Sequence, residues 1–442
     1  MNPRDSYQQT AYHRYVLIMI LGICSMAASA LQITITQGNI AALPIAIVPF
    51  ANETGTPSLP LSVTQVITAD LRRSGAFNPL PLEQLPARPS HTAQIQWPIW
   101  RATQVEHLLI GRIQAHATEG YQLDFRLFDV TRGQQKLAYR VTATTSKLRT
   151  AAHQIADRVY QALTGKPGAF STRIAYVTAT QTAEGQARNQ LKVADADGHH
   201  AQTIVTSREP LMSPAWSPDG QQLAYVAFER GRSMIWVQNI TTGERRKVAA
   251  YPGLNSAPAW SPDGKKIALT LSKDGNPDIY ILSLATEKLR ALTRHTGIDT
   301  EPAWSPDGQH IVFTSNRGGS PQLYQVSADG GQARRLTFEG HYNARAAYAP
   351  DGRHIALVTR VAGRYRIGLL DVQRGDLRLL SNGELDESPG FAPNGSLVLY
   401  ASRRNGREVL ATVSVDSHFQ QNISLETIAV REPAWSPSLT GH

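Results

Sequence analysis

The sequence has almost no cysteine, because Cys24 is the only one in 442 residues. Cys24 lies in an apolar N-terminal segment that we expect to be removed, so the mature protein would contain neither a disulfide nor a thiol nucleophile. Its stability must then come from packing and hydrogen bonding alone. A chain of this length can bury a core large enough for that.

Long hydrophobic runs are also missing. An N-terminal apolar stretch, residues 16–26, is too short to cross a bilayer as a helix. It follows two arginines and precedes a small-residue Ala-Ser-Ala site that ends at Ala30. This pattern predicts a signal peptide over residues 1–30, with export and cleavage after Ala30. An uncleaved N-terminal anchor is the alternative.

The motifs of common enzyme classes do not occur. The sequence contains no Gly-x-Ser-x-Gly elbow of a hydrolase, and no glycine-rich loop that follows a strand and opens a helix. The pairs Asp195/Asp197 and His199/His200 lack a metal-ligand framework, and their place beside a glycine predicts solvent-exposed hairpin turns. We therefore predict a protein that is not an enzyme and has no catalytic or metal-binding residues.

Acidic residues are the minority, with 35 Asp and Glu against 44 Lys and Arg and a formal net charge of +9. An exported chain rarely meets nucleic acid, so nucleic acid is not an expected partner. The charge instead favours an acidic protein partner or an anionic surface of the cell envelope.

One motif recurs along the second half of the chain. Pro-Ala-Trp-Ser-Pro-Asp-Gly occupies residues 214–220, 258–264 and 302–308, and weaker copies follow. Four short apolar or β-branched runs separated by turns fill each interval, which is typical of a four-stranded propeller blade. The Ser-Pro-Asp-Gly segment suits a type I turn, so its Asp is predicted to shape the turn. The aromatic residues of the copies, spaced by 43 or 44 residues, are Trp216, Trp260, Trp304, Tyr348, Phe391 and Trp435.

The register of the repeats predicts how the propeller closes. There are six second strands, of which the earliest is residues 173–178, and six aromatic first strands, of which the last lies at Trp435. The C-terminal strand therefore completes the blade that begins at residue 173. We predict an all-β six-bladed propeller over residues 166–442, whose closure by both chain ends leaves no exposed sheet edge.

Residues 43–165 lack the repeat and alternate strand-like with helix-like stretches. Apolar residues at helical spacing predict amphipathic helices over residues 62–73 and 147–163. A small α/β (α+β) domain therefore precedes the propeller. Its predicted strands are residues 45–50, 105–113, 121–130 and 136–143.

Several segments resemble the TolB family of periplasmic propeller proteins. They are residues 173–177, residues 211–220, the later copies of the motif, and residues 100–111 of the front domain. The resemblance covers the whole chain, including the leader and the offset closing strand. It implies a periplasmic scaffold of the Tol-Pal system that binds the lipoprotein Pal through the propeller and TolA through an N-terminal arm, residues 31–42. Such a scaffold serves outer-membrane invagination during cell division and outer-membrane integrity.

The resemblance also implies which residues bind partners. Leu254 stands where family members can carry a His, so an apolar contact with Pal is expected there. The arm alternates apolar and polar residues and carries no charge, which predicts strand addition to a partner's sheet edge. Pairing of the arm within its own domain is the alternative. The resemblance places Pal at Leu254, Asn255, Ala257, Thr300 and Glu301, and we expect Arg345, Glu387 and Glu432 on the same face to bind it as well. The expected binding residues of the arm are Leu31, Gln32, Ile33, Thr34, Ile35 and Thr36.

Strand direction predicts which end of the propeller these residues occupy. Each first strand runs towards its Ser-Pro-Asp-Gly turn, and the linker at residues 170–173 enters there, so the front domain should lie at this end, the turn end. The opposite end, the free end, is left for a partner. Its outer loops carry basic residues that suit an acidic partner. They are Arg230, Arg232, Lys273, Arg317, Arg360, Arg364, Arg403, Arg404 and Arg407.

The inner loops of the free end are acidic. We expect no cofactor, and the alternative is a Ca²⁺ ion in the tunnel that relieves repulsion among these carboxylates. The residues concerned are Glu209, Asp299, Glu301, Asp386, Glu387 and Glu432.

Two other functions remain open at this point. A secreted propeller could bind a different envelope partner, since the repeated motif alone does not name one. A peptidase-like propeller is the second alternative, because propellers with this motif also occur in peptidases.

Overall fold

The computed structural model describes residues 42–438, except 117–119, 183, 424 and 426–428. The predicted signal peptide, residues 1–30, and all of the predicted arm except residue 42 lie outside the described residues. Within the described ranges no helix is both long and apolar enough to cross a membrane.

A mixed sheet forms the front domain. Its strands are β1 Leu43–Ile47, β2 Ala51–Glu53, β3 Phe77–Pro79, β4 His107–His116, β5 Gly120–Asp129 and β6 Gln134–Thr144. They lie in the order β3-β1-β4-β5-β6, with β2 paired to β4. Strand β1 is parallel to both neighbours, whereas β4, β5 and β6 are antiparallel. The short strands β2 and β3 were not predicted.

The helices of this domain are α1 Val63–Arg73, α2 Trp97–Ala102 and α3 Leu148–Thr164, with single 3-10 turns at Leu82–Gln84, Thr92–Gln94 and Thr145–Lys147. Helix α1 begins after Ser62, whose hydroxyl accepts a hydrogen bond from the Gln65 amide at 3.4 Å. Helix α3 ends at Gly165, whose φ of +75° is the left-handed conformation that glycine adopts without strain. Both helices lie within one residue of their predicted bounds, but the one-turn helix α2 was not predicted.

The two faces of the sheet are covered differently. Alternate residues of β1 point to opposite faces, so Ile45 packs under α1 and α3 whereas Ala46 packs under α2. Trp100 of α2 is fully buried against the second face. On β5 and β6, however, this second face carries Arg126 and Arg140, both exposed. The α2 face therefore changes from apolar to charged towards β6.

Six four-stranded antiparallel blades form the propeller, and a single parallel bridge between Tyr365 and Leu385 joins blades 5 and 6 into one sheet. Strand β30 completes blade 1, as the register predicts. The blades contain β30 Val430–Trp435, β7 Arg173–Gln181, β8 Ala187–Asp195 and β9 Gln202–Ser207 (blade 1); β10 Leu211–Trp216, β11 Gln222–Glu229, β12 Arg232–Asn239 and β13 Arg245–Ala249 (blade 2); β14 Asn255–Trp260, β15 Lys266–Leu271, β16 Asp278–Ser283 and β17 Leu289–Ala291 (blade 3); β18 Asp299–Trp304, β19 His310–Ser315, β20 Gln322–Ser327 and β21 Arg334–Arg335 (blade 4); β22 Asn343–Tyr348, β23 His354–Val361, β24 Arg364–Asp371 and β25 Leu377–Leu379 (blade 5); and β26 Leu385–Phe391, β27 Leu397–Arg404, β28 Arg407–Ser414 and β29 Gln420–Asn422 (blade 6).

The first strands form a closed ring in which each contacts the next, and β30 contacts β10. The repeated tryptophans join neighbouring blades. The indole of Trp260 donates to the backbone oxygen of Ala215 in the preceding blade at 3.1 Å, and Trp304 repeats this one blade further on. At the closing point Trp216 donates to Ala434 O, also at 3.1 Å. The motif aromatics therefore connect the blades as well as filling their cores.

The Ser-Pro-Asp-Gly segments are turns, as predicted. The hydroxyl of Ser261 donates to the carboxylate of Asp263 at 2.6 Å, and the amide of Lys265 donates to the same oxygen at 3.0 Å. The bond from Ser261 holds the pKa of Asp263 below its ordinary value. This carboxylate is therefore engaged in holding the turn.

The front domain contacts the turn end of the propeller, as strand direction predicts. Asn394, in the first turn of blade 6, donates to the Pro167 carbonyl of the linker at 3.0 Å. Asp157 of α3 accepts from the amides of Phe170 and Ser171 at 2.7 and 3.1 Å and so fixes the linker. The free end of the propeller thus lies away from the front domain.

The turn between β8 and β9 enters the front domain. The prediction of a solvent-exposed hairpin is confirmed for His199 and His200 but is wrong for Asp197. Asp197 is largely buried between α1 and α3, where Arg149 donates to its carboxylate. Arg73 and His153 lie 3.8 and 3.7 Å from the same oxygen. Asp70 in turn binds Arg73 and His153, each at 2.6 Å. We call Asp70, Arg73, Arg149, His153 and Asp197 the interdomain ion cluster.

The electrostatics of this cluster favour an ionised Asp197. Burial alone would raise the pKa of Asp197, but Arg73, His153 and Arg149 overcome that effect and hold the pKa well below its ordinary value. Among the described residues, Asp70, His153 and Asp197 are the only group with ligand atoms close enough together to hold a metal ion. The two guanidinium groups already supply the positive charge that an ion would bring.

Candidate interaction surface at the free end of the propeller

A β-bulge interrupts every first strand at the same position. In blade 3 the pairing of β14 with β15 shifts between Ser256 and Ala259, and Ala257 takes a φ of +48°. A left-handed conformation costs a non-glycine residue on the order of 1 kcal/mol, so six repeats of it indicate a constraint. The six residues, all with φ between +48° and +55°, are Ser213, Ala257, Glu301, Arg345, Ser388 and Glu432.

These bulge residues surround the mouth of the central tunnel. Together with the residue after each of them, they line an open hollow of about 140 Å³. Four of the predicted residues, Ala257, Glu301, Arg345 and Glu432, occupy equivalent positions of the ring. The repeat therefore brings together side chains that are far apart in sequence, and the bulge turns them towards the tunnel.

Arg345 connects two acids across this mouth. Its guanidinium lies 2.6 Å from the Glu432 carboxylate and 3.4 Å from that of Glu301. Burial would lower the pKa of Arg345, but the charges of Glu432 and Glu301 outweigh it and raise the pKa above its ordinary value. The arginine is therefore charged at every physiological pH and holds both carboxylates in place.

Hydrogen bonds within the propeller also hold Glu301 in place. Its carboxylate accepts from the Thr314 hydroxyl at 2.9 Å and from the Arg345 amide at 3.1 Å. The preceding residue, Thr300, lies 3.4 Å from the Thr270 hydroxyl of the neighbouring blade. Thr300 and Glu301 are partly exposed, so they can contact a partner without rearrangement.

The other inner acids have protein partners of their own. Asp299 is fully buried and binds Arg317 at 2.6 Å. Asp386 is fully buried and accepts from the Ser402 hydroxyl at 2.6 Å. Glu209 accepts from the Gly231 amide at 3.2 Å. These acids therefore already accept hydrogen bonds or ion pairs from donors within the protein.

Two predicted residues around the start of β14 have different roles. Asn255 is fully buried, and its amide group bonds the backbone of Tyr251 at 2.9 and 2.8 Å. The side chain of Leu254 is 38% exposed next to it. Asn255 therefore shapes the loop, and Leu254 is the residue that offers surface to a partner.

Two apolar residues at this end were not predicted. Ile298 and Phe338 are 46% and 72% exposed. Ile298 follows Leu254 by 44 residues, so the repeat period could have identified it, whereas Phe338 is displaced from the corresponding position. Exposed apolar residues that recur around one surface are typical of an interface.

Glu387 and the basic residues complete the surface. Glu387 is exposed and borders a hollow of about 170 Å³ that Arg403 and Arg431 also line. Among the predicted basic residues, Arg317 faces inward to Asp299 and Lys273 binds Asp274 at 2.8 Å. The exposed members of the row are Arg230, Arg232, Arg360, Arg364, Arg403 and Arg407.

Taken together, these features define a six-bladed β-propeller, joined at its turn end to a small α/β domain. Residues 160–439 match the family model of the TolB beta propeller domain, and residues 31–136 match that of the TolB amino-terminal domain. The chain therefore belongs to the TolB family of the Tol-Pal system, whose members are non-enzymatic components of the cell envelope.

Individual relatives agree with this assignment. The chain is 58% identical over 427 residues to the Tol-Pal system protein TolB of Methylococcus capsulatus, covering 97% of this chain and 99% of the relative. It is 59% identical over 409 residues to that of Nitrosococcus oceani, covering 92% and 94%. The crystal structure of TolB from Acinetobacter baumannii matches with a TM-score of 0.83 and 41% identity, covering 90% of this chain and 97% of that one.

Proposed function

We propose that the chain is a periplasmic scaffold that binds the lipoprotein Pal at the free end of the propeller. The ring of bulge residues around the tunnel mouth is the observation that carries this proposal. It places Glu301, Arg345 and Glu432 in a fixed network at the centre of the surface. Leu254 and Ile298 surround that centre with apolar area. A polar centre fixed in advance lowers the entropic cost of binding.

We further propose that the arm, residues 31–42, binds TolA by adding a strand to its sheet. The alternation of Leu31, Ile33 and Ile35 with polar residues supports this, since strand addition uses backbone bonds and alternate side chains. Binding Pal and TolA at separate places lets one scaffold join two envelope components. That connection serves outer-membrane invagination during division and outer-membrane integrity.

The Pal surface is tested with mature protein, residues 31–442, and the soluble domain of Pal. Ala257→Arg should block docking by its bulk, and Glu301→Lys should weaken it by removing charge-assisted contacts, a loss of about 2 kcal/mol or more for a central residue. Both variants must keep the wild-type melting temperature, because Glu301 also accepts bonds within the propeller.

Lys265→Ala and Lys266→Ala are the matched controls, since both residues are exposed beside a turn of the opposite end. Loss of Pal binding in the lysine variants, together with normal binding by the Ala257 and Glu301 variants, would show that Pal binds the turn end and not the free end. Capture of a different envelope protein by the wild type, with no affinity for Pal, would replace Pal as the partner.

The arm is tested by deletion of residues 31–42. The shortened protein should lose binding of the TolA C-terminal domain and keep binding of Pal. Unchanged TolA binding would show that the arm pairs within its own domain. Mass spectrometry of exported protein tests the leader, and a mass that includes residues 1–30 would contradict cleavage after Ala30.

A further inference from the structure

Strand β6 ends the sheet of the front domain with an open edge. It contains 11 residues, most of them exposed, and pairs with β5 on one side. No strand in the described part of the chain pairs with its other side. An open edge presents unpaired backbone N–H and C=O groups, to which a further strand can be added.

Two hollows flank this edge, one on each face of the strand. On the face shared with α2, a hollow of about 490 Å³ is lined by Arg112, Arg126 and Arg140. We call it the arginine hollow. On the face shared with α3, a second hollow of about 490 Å³ is lined by Tyr139 and Arg158, and we call it the helix hollow. Tyr139 and Arg140 border both hollows.

This arrangement matches what an added strand requires. Successive side chains of a strand point to opposite faces, so a strand paired with β6 would direct alternate residues into the two hollows. Backbone bonds along an edge supply affinity, and pockets for alternate side chains supply specificity. An edge strand that only had to be protected from pairing would need neither hollow.

The charges of the arginine hollow identify the side chains that it accepts. Asp124 is shared by two arginines, since Arg140 and Arg112 lie 2.6 and 3.1 Å from its carboxylate. The bond from Arg140 holds the pKa of Asp124 below its ordinary value. Arg126 donates only to a hydroxyl, that of Thr92, at 2.7 Å. Positive charge is therefore in excess, and a carboxylate entering the hollow would be bound.

The helix hollow has a different character. The guanidinium of Arg158 lies 3.7 Å from the centre of the Tyr139 ring, which is 42% exposed. Gln154 and Gln161 of α3 also line this hollow. It offers an aromatic face and amide groups, which suit a small apolar or hydroxyl side chain.

We propose that the β6 edge is a second docking site, which binds an extended segment of another protein with Glu or Asp at every second position. The carboxylates enter the arginine hollow and the intervening side chains contact Tyr139. This site is independent of Pal binding, because it lies on the other domain.

Charge favours an acidic partner segment over two other possible occupants of the edge, the arm and strand β6 of a second copy. Residues 31–52, which include the arm, contain no Asp, Glu, Lys or Arg, so the arm offers nothing to the arginine hollow. A second copy carries a net charge of +9, and pairing β6 with β6 would bring Lys136 and Arg140 of both copies together. Like charges opposite each other in a sheet are destabilising.

The test uses two capped synthetic peptides, one of five Glu-Thr repeats and one of five Lys-Thr repeats, with mature protein. The acidic peptide should slow hydrogen exchange of the β6 amides, and the basic one should not. The affinity should fall with added salt, as screening of the carboxylates predicts. Protection of amides elsewhere, or equal effects of both peptides, would overturn the proposal.

Arg126→Glu should weaken the acidic peptide at least tenfold, because it places a carboxylate in the arginine hollow. Arg158→Glu should weaken it less, because the helix hollow receives the uncharged threonines. Arg72→Glu is the matched control, since Arg72 is exposed on α1 of the same domain and the change in charge is the same. Equal binding by all three variants would show that net charge, not the edge, attracts the peptide. Faster exchange of β6 after deletion of residues 31–42 would show that the arm already occupies the edge and would also overturn the proposal.

Discussion

The two ends of the propeller are built from the same repeat but differ in what covers them. At the turn end, Asp197 is enclosed by Arg73, Arg149 and His153 of the front domain. At the free end, Arg345 lies between two acids whose side chains remain partly open to solvent. At each end, therefore, ion pairs hold charged side chains in place. The turn end has its partner within the chain, whereas the partner that we propose for the free end is another protein.

One pair of hairpins shows the difference most directly. The sequence Ala-Asp-Gly occurs at residues 196–198 and again at residues 328–330, each time between the third and fourth strands of a blade. Asp197 is buried in the interdomain ion cluster, whereas Asp329 is exposed. The same Ala-Asp-Gly turn therefore forms buried ion pairs only where the front domain contacts it.

Replacing Asp197 with Ala should give the largest effect. Removal of one partner from a buried ion pair leaves Arg149 and its neighbours without compensation and costs about 3–5 kcal/mol. The melting temperature should fall, and the two domains should become separable by proteolysis of the linker. Asp329→Ala is the matched control and should change little. Equal melting temperatures for both variants would show that the cluster does not hold the domains together.

Acid should weaken the turn end. The pKa of Asp197 is lowered in the folded protein, so the unfolded chain takes up the proton first and the stabilisation is lost as pH falls below about 4. For a carboxylate held in this way the loss is about 2 kcal/mol. Unfolding measured from pH 6 to pH 3 should show a shallower fall in stability for Asp197→Asn. Parallel curves would assign the acid sensitivity to other groups.

A smaller loss of stability is expected from Glu432→Gln at the free end. Arg345 loses its 2.6 Å partner but keeps Glu301, so the cost is about 1.5 kcal/mol. Glu387→Gln, at an exposed position of the same surface, should cost nearly nothing. Thermal melts of the two variants test this prediction. An unchanged melting temperature for Glu432→Gln would mean that the ion pairs of Arg345 at the tunnel mouth contribute to binding but not to stability.

Ile298→Asp should leave folding intact, since exposed substitutions usually change stability by less than about 0.5 kcal/mol. Pal binding should weaken about tenfold, because a carboxylate would replace apolar area next to an acidic centre. Leu379→Asp changes an equally apolar residue, 39% exposed, in β25 on the outer side of blade 5. Titration calorimetry with Pal should separate the two variants, and equal affinities would remove Ile298 from the surface.

The sequence predicts the parts of the fold that repeat or have a strong local signal. The 44-residue period identifies the blades, the turn end and the closing strand, and helical spacing identifies α1 and α3. The environment of Asp197 was missed because its partner Arg149 is 48 residues away, in a domain without the repeat. The shared bulge was not predicted, since a positive φ at Ala257 or Glu301 has no residue preference that marks it.

The offset closure of the propeller has a consequence for how the protein is made. Strand β30 follows every other blade strand in the chain, yet it supplies the innermost strand of blade 1, and Ser436 then bonds both backbone groups of Arg173 at 2.9 and 2.8 Å. During synthesis the ring is therefore open at two neighbouring edges until its last strand has been made. An incomplete chain cannot close the ring, and a tag that obstructs residues 430–436 would lower the yield of folded protein more than its stability once folded.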